Sequence, residues 1–164
     1  MNILEMEPIA RVRRHHAIEH ATVTLLTERH PDLRIVGRSD STGFHIYGEV
    51  ERNELDDATR RALARLQSGE RALAIHPRCG TNLVVAGLLT ALAAVIAIGR
   101  KPSLDKIPNV ILATTVAGFV AQPLGAKFQE RVTTSPDVCG ARIAGIRETQ
   151  MGQIKVQHVD IEWA

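Results

Sequence analysis

The stretch "NLVVAGLLTALAAVIAIGRKPSLDKIPNVILATTVAGFVAQPLGA", residues 82–126, decides how the rest of the chain is read. Residues 82–99 carry no charged side chain, and neither do residues 107–126. As helices, each run spans roughly 27–30 Å, the hydrocarbon thickness of a bilayer. Between them lies the polar turn "RKPSLDK", residues 100–106. The pattern predicts a two-helix transmembrane hairpin over 82–126. The competing reading is a pair of core helices in a soluble protein, but a chain of this size has little material left to wrap two wholly apolar helices. In the second run Pro108, Thr114, Thr115, Gln122 and Pro123 point to a kinked, re-entrant or pocket-lining segment.

Outside the hairpin the chain is polar. Of its 164 residues, 45% are hydrophobic and 23% charged, which suits one domain of ordinary size. A formal charge of +2, with three Phe, one Tyr and one Trp, argues against a polyanionic partner or a stacking platform, so no nucleic acid is expected. Cys79 and Cys139 do not make a disulfide framework. The start of the chain, "MNILEMEPIARVRRHH", lacks the apolar core and small-residue cleavage site of a secretory signal. Reduced thiols facing the cytoplasm are therefore expected. Arg100, Lys101 and Lys106 lie in the turn, whereas Arg71, Arg78, Lys127 and Arg131 lie on the other side of the spans. With some eighty residues ahead of the first span, the expected placement is a multi-pass protein of the cell inner membrane with its polar domain in the cytoplasm.

That polar domain is predicted to be α+β. A helix runs from about Ile9 to Arg29 and stops before Pro31. "LRIVG" and "FHIYGEV" flank the turn-forming "RSDSTG", which predicts a β-hairpin. Leu55, Ala58, Ala62, Leu63 and Leu66 recur at helical spacing until Gly69. "ALAI" follows as a short extended piece, and "ARIAGIRE" and "QIKVQHVDIEW" read as two final strands. In the last strand the apolar positions change parity between Val156 and Val159, which predicts a β-bulge near Gln157 or His158. The order is α-β-β-α-β, hairpin, β-β. Residues 1–81 and 127–164 thus form one discontinuous domain interrupted by the hairpin at 82–126.

The chemistry concentrates in "HHAIEHATVTLL", residues 15–26. His16 and His20 stand four apart on the first helix, the spacing by which a helix offers two imidazoles to one metal ion. At about 100° per residue Glu19 falls inside the arc of Leu26, Val12 and Val23, while both histidines border that arc. A carboxylate aimed among aliphatic side chains is costly unless paired or used. Downstream, "HPRCGTN" supplies His76 and Cys79 at a spacing that turns readily around an ion. His16, His20 and Cys79 would leave zinc an open fourth position; His76 as a fourth ligand would close it. Thr81 and Asn82 are candidate donors to a developing oxyanion, or caps of the first span. His15 is expected to face solvent, His30 to end a helix, His45 to lie on a strand surface and His158 on a polar rim. Cys139 is expected to be a plain buried thiol.

The His-x-x-Glu-His pentad resembles the metal signature of the inverted zincins, the pitrilysin and insulin-degrading-enzyme class. That likeness implies His16 and His20 as zinc ligands and Glu19 as the general base acting on water. It covers five residues, and those enzymes are far larger, with a third ligand that is a glutamate on a downstream helix. Over its whole length the chain also resembles a bacterial membrane-protein family described as a domain of unknown function. The segments carrying this are "HHAIEHAT", "GFHIYGEV", "ARLQSGERALAIHPRCGTNLVVAGLL" and "AQPLGAKFQERVTTS". The resemblance implies a small protein with two spans.

The reading that follows is a membrane-anchored zinc protein, a small peptidase-like metallohydrolase. The alternative is a non-catalytic membrane scaffold or assembly protein with a structural metal site, or with no metal and Glu19 paired to an arginine such as Arg78. Gly87, Ala91, Gly118 and Ala121 allow close helix contacts, so a homo-oligomer or a membrane-protein partner is expected beside the lipid bilayer.

Overall fold

A computed structural model describes residues 3–164. The chain is α+β, with two compact units: residues 1–76 with 130–164, and residues 77–129. In the first unit α1 spans Ile9–Arg29, β1 Val36–Ser39, β2 Gly43–Tyr47 and α2 Arg52–Gln67. The same unit ends with β3, Ala141–Met151, and β4, Ile154–Trp163. The strands form one antiparallel sheet in the order β1-β2-β4-β3. Period-two alternation places Phe44 and Ile46 of β2 and Val159 and Ile161 of β4 on one face. There they join Ile18 and Leu26 of α1 and Leu55, Ala62 and Leu66 of α2 in the core. Helical spacing on α2 and strand alternation on the sheet thus meet along a single apolar layer.

Two sequence expectations are corrected here. "ALAI" is not a strand: Arg71–Ala74 is a 3-10 turn. A four-residue apolar piece is too short for its periodicity to separate strand from turn, and the turn puts the Ala74 carbonyl against α1. The expected bulge in the last strand is also elsewhere. β4 pairs with β2 without interruption from Tyr47↔Val156 to Gly43↔Asp160, and the irregularity lies in β3, between Ile143 and Gly145. The extra residue, Ala144, lets Ile143 and Ile146 pair with Ile161 and Val159 and face inward together, although they stand an odd number of residues apart. In β4 the parity change has another cause. Gln157 takes the core position and donates its Nε2 to the Val50 carbonyl at 2.7 Å, while Val156 lies on the other face.

The second unit contains α3, Gly80–Ile98, and α4, Ile107–Phe128, joined through a 3-10 turn at Leu104–Lys106. Both helices are long and apolar enough to cross a membrane. No residue of α3 is buried, and Leu83, Leu88, Ile96 and Phe119 all stand well exposed. That is not how a soluble core pair looks. α4 runs through Pro123 without a break. The hydroxyls of Thr90, Thr114 and Thr115 donate to carbonyls of their own helices at 2.7–2.9 Å, so they need no outside partner. At the turn Lys106 Nζ donates to the carbonyls of Ile98 and Lys101 at 2.6 and 2.7 Å, closing the end of α3.

Candidate functional site

α1 presents its polar groups inward. His16 and His20, one turn apart, have ring centroids 4.2 Å from each other. His20 is buried, and its Nδ1 stands 2.7 Å from the Ala74 carbonyl. His16 Nδ1 stands 2.9 Å from the Thr133 carbonyl. A carbonyl only accepts, so in each neutral ring the proton sits on Nδ1 and the lone pair on Nε2. This is how a metal-binding histidine is oriented by its outer partner. His20 Nε2 is itself buried with no hydrogen-bond partner among the described residues. His76 follows the 3-10 turn, with its ring centroid 5.8 Å from that of His20.

The carbonyl beside His16 is held in place by Arg13. Its buried guanidinium donates to the carbonyls of Leu4, Arg131 and Thr134 at 3.0, 3.2 and 3.1 Å and pairs with Glu5. The chain segment that begins at Glu130 is thereby fastened to α1, and Thr133 falls opposite His16.

Glu19 is 5% exposed. Its Oε2 accepts from Ser39 Oγ at 2.7 Å and lies 4.0 Å from His16 Nε2. Burial pushes its carboxyl pKa up, and the neighbouring His16 and Ser39 oppose that only in part. The carboxyl rests on β1 because residue 37 is glycine: a Cβ there would stand 2.0 Å from Glu19 Oε1. A glycine inside the branched strand "RIVGR" is the sequence signal for such a close approach. Ser39 and the two carbonyl partners left no signal, since each is defined by tertiary position alone.

The His16 and His20 rings thus each present Nε2, a nitrogen of the kind that ligates metal ions, on the side away from the carbonyl partner. Beside them lies a buried carboxyl biased toward accepting a proton. The sequence profile of DUF6391, a domain of unknown function, matches residues 11–146. The chain belongs to the DUF6391 family. The match takes in α1 from Arg11 onward, both apolar helices and the site candidates from His16 to Asn82. It is also 39% identical over 135 residues to an uncharacterized protein of Picosynechococcus sp. strain PCC 7002, covering 76% of this chain. The chain spans 66% of that relative's length, just under two thirds. No solved structure matches it.

The remaining site candidates of this DUF6391 chain belong to the helical unit. Cys79 is the N-cap of α3, and its Sγ accepts from the Thr81 backbone N–H at 3.4 Å. Asn82 donates Nδ2 to the Pro77 carbonyl at 2.9 Å and accepts from Gln129 Nε2 at 2.6 Å. Its amide therefore fastens the polar end of the hairpin. A Cβ on Gly125 would meet Asn82 Oδ1 at 2.4 Å, so α4 approaches closely there.

Two histidines expected at the surface are elsewhere. His15 is fully buried: its Nε2 accepts from Trp163 Nε1 at 3.1 Å, and its Nδ1 reaches the Asp40 carbonyl at 2.8 Å. It ties α1 to the β1–β2 turn and to the end of β4. His158 is 6% exposed. His45 lies beside it on the sheet face away from the core, and His30 pairs with Glu54 at the end of α1. Cys139 is exposed rather than buried.

Proposed function

We propose that this protein is a membrane-anchored zinc protein with a peptidase-like metallohydrolase site on α1. The observation that carries the reading is the matched pair of carbonyl-oriented histidines beside a buried carboxyl. His16 and His20 are assigned as ligands through Nε2. Cys79 is assigned as the third ligand. It follows His76 by three residues, so the chain keeps its Cα within about 11 Å of that of His76. As N-cap of α3, its sulfur accepts a backbone N–H at a helix N-terminus, a setting that suits a thiolate. Zinc, when bound, supplies Lewis acidity toward water and a substrate carbonyl. Glu19 takes the proton from that water and returns it to the leaving group, with Ser39 holding the carboxyl in line. The two apolar helices support anchoring in a membrane; the inner membrane, with the α+β unit on the cytoplasmic side, is the placement assigned with it. Open space beside Gly87 and Gly118 supports a homo-oligomer or a membrane-protein partner packed on the helices.

A second reading has its own support. His76 stands near enough to His20 to be a ligand, and a four-ligand His/Cys site is closed and structural, which would make the protein a scaffold or assembly module. One experiment separates the two. Zinc content and hydrolysis of a fluorogenic peptide library are measured for the detergent-solubilised protein and its Glu19→Gln variant. The enzyme reading expects Glu19→Gln to keep zinc and lose turnover by about 10²-fold or more. Zinc retained in both without turnover in either leaves the scaffold. Absence of zinc from the native protein, with no uptake on titration, removes both.

A further inference from the structure

Asp40, His45 and His158 meet on the sheet face away from α1 and α2, apart from the His16 and His20 pair. His45 of β2 and His158 of β4 stand directly opposite in register, with ring centroids 4.3 Å apart. Asp40, in the β1–β2 turn, lies beside both. Its Oδ2 is 3.3 Å from His45 Nδ1 and 3.2 Å from His158 Nε2. All three ligand atoms lie within 4.8 Å of one another. Ligands held at about 2.0–2.1 Å around a tetrahedral zinc stand about 3.3 Å apart. The contact to His45 is close but is not a hydrogen bond: Nδ1 is buried and has no aligned partner among the described residues. Asp40 Oδ2 and His45 Nδ1 thus stand at the separation of two ligands of one ion, with no hydrogen bond between them.

The surroundings fit a ligand set. Asp40 Oδ1 is occupied by the Thr42 amide and hydroxyl, both at 2.7 Å, and by the Gly43 amide at 3.0 Å, which turns Oδ2 toward the rings. Partial burial opposes ionisation of Asp40, but the Thr42 donors, His158 and the Gly43 amide outweigh it and hold the carboxyl pKa down to about 2. His158 Nδ1 stands 3.0 Å from Asp160 Oδ1, and Arg147 clamps that same carboxylate at 2.6 and 2.7 Å. A ligand histidine backed by a carboxylate is the usual outer arrangement. Arg147 Nη2 also lies 3.0 Å from His158 Nδ1, and Thr42 Oγ1 lies 3.4 Å from Nε2. The ring therefore has two satisfied tautomers. With the proton on Nε2 it donates to Asp40 and accepts from Arg147; with the proton on Nδ1 it donates to Asp160 and frees Nε2 for an ion. Arg38, paired with His45 in register, and Glu162 with its β3 partner Arg142 bring further charge to this face. His45 and Asp40 are about one-third exposed, which leaves an entry path.

We propose that Asp40 Oδ2, His45 Nδ1 and His158 Nε2 form a second cation site, for a divalent transition ion of the zinc class, with a fourth position open to water or a ligand. Two imidazoles in a set of three select against calcium and magnesium. The test uses the full chain in detergent micelles, stripped of metal and titrated with zinc alone. Imidazole nitrogen NMR and zinc content after dialysis are read for the native protein and for His45→Ala and Asp40→Asn. Asparagine keeps the oxygen that accepts from Thr42 and Gly43, so the turn survives. The variants are repeated in a His16→Ala/His20→Ala background, which isolates this site from the one on α1.

The expected result is zinc uptake in that background, shifted His45 and His158 signals, and His158 held with its proton on Nδ1. Magnesium is expected to move none of them. His45→Ala and Asp40→Asn are each expected to weaken this uptake about tenfold or more. Unmoved His45 and His158 signals under zinc overturn the proposal, as does equal uptake with and without His45 and Asp40. If the double-alanine background fails to fold, the imidazole signals of the native chain decide by themselves.

Discussion

Glu19 and His15 give α1 opposite dependences on pH. Burial raises the Glu19 pKa above its usual 4.5, so the folded state holds that proton more tightly than the unfolded state. Its contribution is full below 4.5 and is lost as pH rises through the folded pKa. In metal-free protein, Glu19→Gln is therefore expected to raise stability at neutral pH and to flatten its decline from acid to neutral. Urea unfolding at stepped pH measures both. His15 behaves the other way. Burial lowers its pKa below 6.5 despite the Asp40 carbonyl and carboxylate, so its contribution is full above 6.5 and is lost as pH falls through the lower folded value. Trp163→Phe leaves His15 Nε2 buried without its donor and is expected to cost about 1–3 kcal/mol in the same measurement. The placement of His16 and His20 side by side was legible in the sequence because it depends on spacing along one helix. The burial of His15 was not, because its two partners come from a distant turn and the far end of the chain.

At the scale of elements, β3 shows how a strand accommodates a mismatched pattern. Ile143 and Ile146 both face the core only because Ala144 is extra. Deleting Ala144 leaves a regular strand in which the two isoleucines already alternate correctly. Cooperative unfolding and a native-like far-UV spectrum are expected to survive. Deleting Asp160 from β4 instead turns one side of that strand over relative to both neighbours and is expected to abolish cooperative unfolding. The odd spacing of the isoleucines was visible beforehand. The parity shift in β4 drew attention away from it, since a buried glutamine at Gln157 mimics a bulge. α1, α2 and the hairpin at β1–β2 followed directly from periodicity and turn residues, whereas the 3-10 turn at Arg71–Ala74 did not, being too short to carry a period.

For the whole molecule, the apolar surface of α3 and α4 outweighs any polar feature. Leu88 is 68% exposed in a helix with no charge. Leu88→Arg is expected to cost about 2.5–3.5 kcal/mol of insertion at mid-helix and to shift the protein out of the carbonate-resistant membrane fraction. Leu88→Ile is expected to leave the fraction unchanged. The two apolar helices and the α+β class were readable in advance because each rests on composition and local pattern.

The sequence alone determined which segments are helical, which are apolar enough to leave water, and which imidazoles share one side of α1. Those properties follow from side-chain spacing along a continuous backbone. Only the tertiary structure decided which carbonyls orient His16 and His20, that Gly37 makes room for Glu19, and that Asp40 stands between His45 and His158. Each of those depends on strands and turns far apart in the chain meeting at ångström separations, and hydrophobic pattern says only which face is buried.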